Sequence, residues 1–174
     1  MRKIFLTLLI SFAIISCETT EGDTNSDLPT VIDETELVAI ADAMYEAMST
    51  DNIEAVTDLY ADQAVWSFPN GVNIEGKEAI GEMLNTTMAI WDVSRAEGTN
   101  YLALEGSNTN EAGEEEKFKI LLSWGGQTYS NEETSISIPY HNVLFFTSDN
   151  KIGWNAGFYD RTKFVESYDE DPIQ

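Results

Sequence analysis

The chain has 174 residues, 43% of them hydrophobic, which supports one domain with a filled core. Its 31 acidic and 9 basic residues give a net charge of −22, a field that repels phosphate backbones and excludes nucleic acid as a partner. The single cysteine excludes a disulfide framework within the chain and a cysteine-cluster metal site.

Arg2 and Lys3 open the chain, and an apolar run from Ile4 to Ile15 leads to Ser16-Cys17. That run is too short to span a bilayer, which needs about 20 apolar residues. Ile14-Ile15-Ser16-Cys17 resembles the bacterial lipobox. The resemblance implies that residues 1–16 are a lipoprotein signal peptide, that Cys17 is lipidated, and that the protein is anchored to a membrane of the cell envelope, facing periplasm or cell surface. One acyl chain alone would hold it only marginally. Losing residues 1–16 removes two cations and no acid, so 7 basic residues would face 31 acidic ones, a net charge of −24. Residues 17–32 are polar and acidic and read as a flexible tether.

The folded domain is expected over 33–166, with an acidic tail at 167–174. Asp33 with Glu36 fits a capping box, and Leu37, Ile40, Ala41, Met44 and Met48 follow at helical spacing, widened by Val38 and Tyr45. Asp51 with Glu54 repeats the capping signature for a second helix, Ile53 to Tyr60. A short strand through Val65, Trp66 and Phe68 leads to a Pro69-Asn70-Gly71 turn. Gly76 opens a third helix, about Lys77 to Ile90, with Ile80, Met83, Leu84 and Met88 on one face. From Thr99 the pattern turns to strands: Tyr101–Leu104, Phe118–Trp124, Ile136–Phe146 and Ile152–Tyr159. Ser107 to Glu116 reads as a polar hairpin loop, and Gly125-Gly126 as a break. Three N-terminal helices over a curved mixed or antiparallel sheet give an α+β, cone-shaped cup.

A two-residue Asp149-Asn150 loop would place Ser148 opposite Lys151, so that the numbers of each later pair sum to 299. Side-chain alternation then puts Tyr140, Asn142, Leu144, Gly153, Asn155, Gly157 and Tyr159 on one face. His141, Val143, Phe145, Ile152, Trp154, Ala156 and Phe158 fall on the other. The glycines, asparagines and tyrosines suit a cavity wall, and the apolar set suits an outer surface. Pro139 could mark a bulge that would turn the faces over.

The stretch Leu59–Ile80, LYADQAVWSFPNGVNIEGKEAI, resembles the nuclear transport factor 2-like superfamily, in particular its SnoaL-like branch. There a Y-A-D-x-A helix end, a strand, a P-x-G-type turn and a G-K-E-A-I helix start recur in this order. The likeness covers roughly Glu34 to Phe164 and implies a cone fold (cystatin-like in outline) with a central pocket. Ketosteroid isomerase-like members carry a general base where Phe68 stands, an oxyanion-stabilising acid where Asn142 stands, and a helix tyrosine near Met44. Phe68 cannot take a proton and Asn142 cannot exchange one, although its amide could polarise a carbonyl.

These features lead to a lipid-anchored domain that binds a small apolar or aromatic-stacking ligand without catalysis. Its expected lining is Trp66, Phe68, Tyr140, Asn142, Asn155, Tyr159, Met44 and Tyr45, with Trp124 as a further ring. The competing reading is a cyclase, dehydratase or hydrolase with His141 or Asp160 as base. A third is a pure assembly module. No metal cluster, calcium loop or cofactor motif is visible, so no cofactor is expected. Val143, Phe145, Trp154 and Phe158, with Ile152, would form an outer apolar patch and pair two copies sheet to sheet.

Overall fold

The computed structural model describes residues 28–109 and 112–166. The expected signal peptide, Cys17, most of the expected tether and the expected acidic tail lie outside the described residues. Three helices precede most of the sheet: α1 (Thr35–Ser49), α2 (Ile53–Thr57) and α3 (Lys77–Met88). A short α4 (Thr162–Val165) follows the last strand. The strands are β1 (Thr30–Ile32), β2 (Tyr60–Ser67), β3 (Asn73–Glu75), β4 (Asp92–Arg95), β5 (Asn100–Thr109), β6 (Glu115–Ser130), β7 (Ser135–Phe146) and β8 (Ile152–Phe158). They form one sheet in the order β1-β5-β6-β7-β8-β2-β3, with β4 also paired to β6. All pairings are antiparallel except β2 with β8. The result is a curved, open, mixed sheet with helices on its concave side, as expected for the cone.

The helices hold the stripes read from the sequence. Leu37, Ala41, Met44 and Met48 of α1 and Ile80, Leu84 and Met88 of α3 are buried. Their caps differ from expectation. Asn52, not Asp51, caps α2 by accepting from the Ala55 amide, because Asp51 takes a left-handed φ of 53° and turns the chain. At α1, Asp33 accepts from the Thr35 amide instead of closing a capping box. The second helix also ends early. Tyr60 is already the first residue of β2, 1% exposed, with its hydroxyl donating toward Met44 Sδ.

The expected Ser107–Glu116 loop is mostly strand, since β5 and β6 pair out to Thr109 and Glu115. Gly125-Gly126 is not a break either. β6 runs straight through it, with β5 along one stretch of its edge and β4 along the next. A Cβ on Gly125 would lie 2.6 Å from Thr99 Oγ1, so glycine is required where the β4–β5 link crosses. Thr30–Ile32, assigned to the tether, pairs with β5 as an edge strand.

The β7–β8 register sums to 299 from His141–Phe158 to Phe145–Trp154, but the turn differs from the one expected. The Thr147 amide donates to Lys151 O, and Asn150 has φ 60°, so the loop has three residues. An irregularity between Phe145 and Phe146 restores the register. The slip changes one residue's face: Ile152 pairs with Phe146 and is fully buried in the core, not on the outer patch. No shift occurs at Pro139, where the β6–β7 register is continuous.

The outer face carries a chain of rings. Phe118 packs on Phe145 (5.0 Å between centroids) and Phe145 on Trp154 (6.0 Å). Further along, Trp124, His141 and Phe158 stack across three strands at 5.0 and 5.6 Å. Trp124 and Phe158 are exposed, whereas Trp154 is half-buried and donates its Nε1–H to Ser67 Oγ.

Candidate functional site

On β2, alternation turns Ala64, Trp66 and Phe68 inward, and the aromatic rings stack in a row. Tyr60 and Trp66 are 6.0 Å apart and Trp66 and Phe68 6.2 Å. β2 runs parallel to β8, so the row rises beside Ile152, Asn155 and Ala156 in order. β7 descends alongside, with Asn142 opposite Gly157 and Leu144 opposite Asn155. Moving along the row from Tyr60 to Phe68 therefore moves from the closed end of the cone to its mouth.

At the mouth end lies a cavity of about 180 Å³. Trp66, Phe68, Tyr140 and Tyr159 line it, with Met48 from α1, Met83 and Leu84 from α3, and Trp91, Tyr129 and Phe164. Tyr140 and Tyr159 stack at 5.0 Å. A Cβ on Gly157 would strike the Tyr140 ring, so that glycine makes room for the tyrosine to lean across β8. Phe164 of α4 closes one side, edge-on to Tyr129 (4.6 Å), Tyr159 (5.9 Å) and Trp91 (6.2 Å). Thr86 and Ile90, both exposed, mark the opening. Arg161, half-buried, lines both the cavity and a shallow groove outside it formed with Pro69, Asn70, Asp160 and Glu166.

The other expected lining residues stand elsewhere. Asn142 (2% exposed) and Asn155 (1%) are inward-facing but sealed below the cavity. Asn155 Nδ2 donates to the Tyr60 hydroxyl, while the Oδ1 atoms of both asparagines have no partner. Met44 is buried against Tyr60, and the Tyr45 hydroxyl accepts from Gln127 Nε2. Neither reaches the cavity wall, because α1 crosses the cone with Met48, one turn further on, at the cavity. Trp124 is on the outer face, where it stacks on His141.

Burial pushes the Tyr45 hydroxyl up to about 12, against the weaker pull of its bond from Gln127. Burial raises Tyr60 and Tyr140 as well. All three are neutral hydroxyls at physiological pH.

The two candidate bases are outside. His141 donates its Nδ1–H to Ser123 O and lies between Trp124 and Phe158 on the convex face. Asp160 is exposed in the outer groove, and hydrogen bonds from the Thr162 hydroxyl and amide hold its carboxyl below the usual range. A carboxylate so stabilised is a weaker base than an ordinary one. Among the described residues the cavity wall contains no Asp, Glu or His, and no cluster of three His, Cys, Asp or Glu could hold a metal ion.

Several wall residues had no functional signal in the sequence. Met83 and Leu84 read as ordinary helix core, and Trp91, Tyr129, Arg161 and Phe164 lay outside any assigned element. Their joint position depends on long-range contacts that no local pattern carries.

Comparison with known proteins agrees with this geometry. A family profile described as SnoaL-like domain matches residues 41–152. Among curated protein sequences none matches. Solved structures share the fold at low identity. A candidate SnoaL-like polyketide cyclase from Shewanella denitrificans OS-217 is 10% identical with a TM-score of 0.56, over 76% of this chain and 96% of that one. SalBIII, an epoxide hydrolase/cyclase-like enzyme of pyran ring formation in the polyether salinomycin, is 15% identical with a TM-score of 0.53, over 75% and 95%. An NTF2-like protein of unknown function from Burkholderia pseudomallei K96243 is 11% identical with a TM-score of 0.52, over 74% and 94%.

Proposed function

We propose, from the premise that this chain belongs to the SnoaL-like domain family, that its cone binds a small apolar or aromatic ligand and releases it unchanged. One observation carries the reading. The cavity of about 180 Å³ is walled mainly by aromatic and aliphatic side chains, with no carboxylate or imidazole on it. An apolar cavity of about 150 Å³ is large enough to take benzene, so a single ring fits here. A positioned base contributes about 10²–10⁴-fold to a proton-transfer reaction, and a wall without one suits a binder better than an enzyme. The cyclase, dehydratase or hydrolase alternative would need His141 or Asp160 to act from outside the cavity. The test is turnover against binding. Aromatic ligands titrated into the protein should quench Trp66 and Trp91 fluorescence and be recovered intact; a product whose formation is abolished by Asp160→Asn or His141→Ala would establish the enzyme instead.

In this reading the domain is a lipoprotein held to an envelope membrane through Cys17, and the support is the lipobox-like sequence alone. Cys17→Ser should release a folded protein into the soluble fraction; persistence in the membrane fraction sinks the anchor. A homodimer through Val143, Phe145, Trp154 and Phe158 belongs to the same proposal. Its support is the ring-rich convex face, where Trp124 and Phe158 are left exposed. Trp154 is bonded to Ser67 and would report on folding too, so Phe158→Glu is the cleaner probe. It should yield monomer in sedimentation, and a wild-type monomer at tens of micromolar would end the dimer reading.

A further inference from the structure

We infer that the ligand of this cavity is a neutral, compact aromatic compound bearing a hydrogen-bond acceptor, such as a ketone oxygen, and that the Tyr140 hydroxyl donates to it. The inference rests on the binding reading above and adds the chemical class. Tyr140 lines the cavity, is 8% exposed and stacks on Tyr159. Its hydroxyl lies on the inner face over Gly157, where a Cβ would strike it. Gly157 pairs with Asn142, so the hydroxyl sits where the sealed part of the cone gives way to the cavity. Tyr140 stands on β7, away from the Met44 position where the resemblance would put a hydrogen-bonding tyrosine.

Among the described residues that hydroxyl has no hydrogen-bond partner. Asn142, two residues along β7 on the same face, does not take its proton, since Asn142 Oδ1 is sealed without a partner. A buried hydroxyl left unbonded costs about 1–3 kcal/mol, and the cavity is the space from which a partner can come. Burial keeps the phenol neutral, so it has a proton to give.

The rest of the wall agrees with an acceptor on the ligand. Thr86 and Thr87 donate to Glu82 O and Met83 O within α3, and Tyr129 donates to Gln127 Oε1. Tyr159 and Arg161 each have an interaction of their own. Trp66 also lines the cavity, and an indole N–H can donate but not accept. A ligand that donated to the Tyr140 oxygen would leave the phenol proton unbonded, whereas an acceptor satisfies it. An ionised acceptor fits poorly: a carboxylate would lose its water among rings, in a chain whose net charge is −22. At about 180 Å³ the cavity holds one ring with a small substituent.

Calorimetric titration of the full-chain protein with acetophenone and with α-methylstyrene, which exchanges the carbonyl oxygen for a methylene group, tests this. Both should bind the wild type. Tyr140→Phe keeps the ring and should weaken acetophenone about five- to thirtyfold while leaving α-methylstyrene within about twofold. In infrared difference spectra, the carbonyl stretch of bound, carbonyl-labelled acetophenone should lie below its position in hexane, and Tyr140→Phe should return it. An unchanged ratio of the two affinities in Tyr140→Phe, or a low carbonyl frequency that persists there, overturns the role of Tyr140. A hexane-like frequency in the wild type, or binding of α-methylstyrene alone, overturns the acceptor inference while the binding reading stands. Failure of both probes to bind overturns the binding reading and this inference with it. The wild-type spectrum needs no variant, so a poorly folding Tyr140→Phe would not blunt it.

Discussion

The closed and open halves of the cone are built from the same three strands and differ in what their inward side chains do. In the closed half Tyr60, Leu144, Asn142 and Asn155 are at most 2% exposed, and the Tyr60 hydroxyl donates toward Met44 of α1. In the open half Trp66, Phe68, Tyr140 and Tyr159 surround empty space. The polar groups that a ligand site would be expected to use lie in the closed half, tied to Tyr60 or left without partners. The open half keeps rings on its wall, with Arg161 also lining it. Polarity in this cone is therefore placed by depth, and the cavity lies in the less polar of the two halves.

The difference predicts unequal responses to the same kind of truncation. Leu144→Ala removes atoms from a filled region and should lower unfolding free energy by about 2–5 kcal/mol. Met83→Ala trims a half-buried cavity wall, where packing partners are already missing on one side, and should cost about 1 kcal/mol or less. Urea unfolding midpoints compare them, and equal losses would mean that the open half is as tightly filled as the closed one. At the boundary, Gly157→Ala should push the Tyr140 ring toward the cavity, costing about 1–3 kcal/mol and weakening ligand binding together. A variant that lost stability with unchanged binding would separate Tyr140 from the ligand space.

Alkaline titration probes the buried hydroxyls of the cone, Tyr60 in the closed half and Tyr140 in the open one among them. Tyr45 is raised to about 12 and Tyr60 and Tyr140 are raised too, chiefly by burial. Between pH 10 or so, where an unfolded tyrosine ionises, and the folded values, the native state holds protons that the unfolded chain has released. Stability is thus fully present below about pH 10 and falls as pH rises through the folded values, by about 1.4 kcal/mol per pH unit for each tyrosine. Tyr45→Phe should flatten that fall by one tyrosine's share. Urea midpoints that stay level up to about pH 12 would show that these hydroxyls are not protected.

Much of the fold was legible because it is periodic. The stripes on α1 and α3 and the alternation along β7 are local patterns, and they placed Tyr140, Asn142 and Leu144 inward correctly. The register of β7 with β8 also came out right, although a three-residue loop and a compensating irregularity stand where a two-residue turn was expected. Ile152, inside that irregularity, is the residue misplaced by it. Depth was not legible. Alternation says which face a side chain takes, but how far down the cone it sits depends on the parallel pairing of β2 with β8, which joins distant segments. Asn142 and Asn155 were therefore assigned to the right face and the wrong level. Phe164 and Arg161 were missed because only the return of α4 over the cavity brings them to the site.

The finest test of the two-halves description is Asn142→Leu, which keeps the heavy-atom count and the branching of the side chain deep in the closed half but makes it larger and apolar. Asn142 is 2% exposed and its Oδ1 has no partner. A buried polar atom left unpaired costs about 1–3 kcal/mol, and replacing it with an apolar group of similar shape removes that cost. Branching at Cγ differs little between the two side chains, so overpacking should take back only part of the gain. A net stabilisation of about 1 kcal/mol is expected in urea unfolding. Binding of an aromatic ligand should be unchanged, because Asn142 is not part of the cavity wall. Asn142→Asp should act in the opposite sense, since it would place a carboxylate where desolvation penalises its charge. If Asn142→Leu instead abolished ligand binding while remaining folded, the ligand would have to reach the closed half, and the boundary drawn at Tyr140 would be wrong.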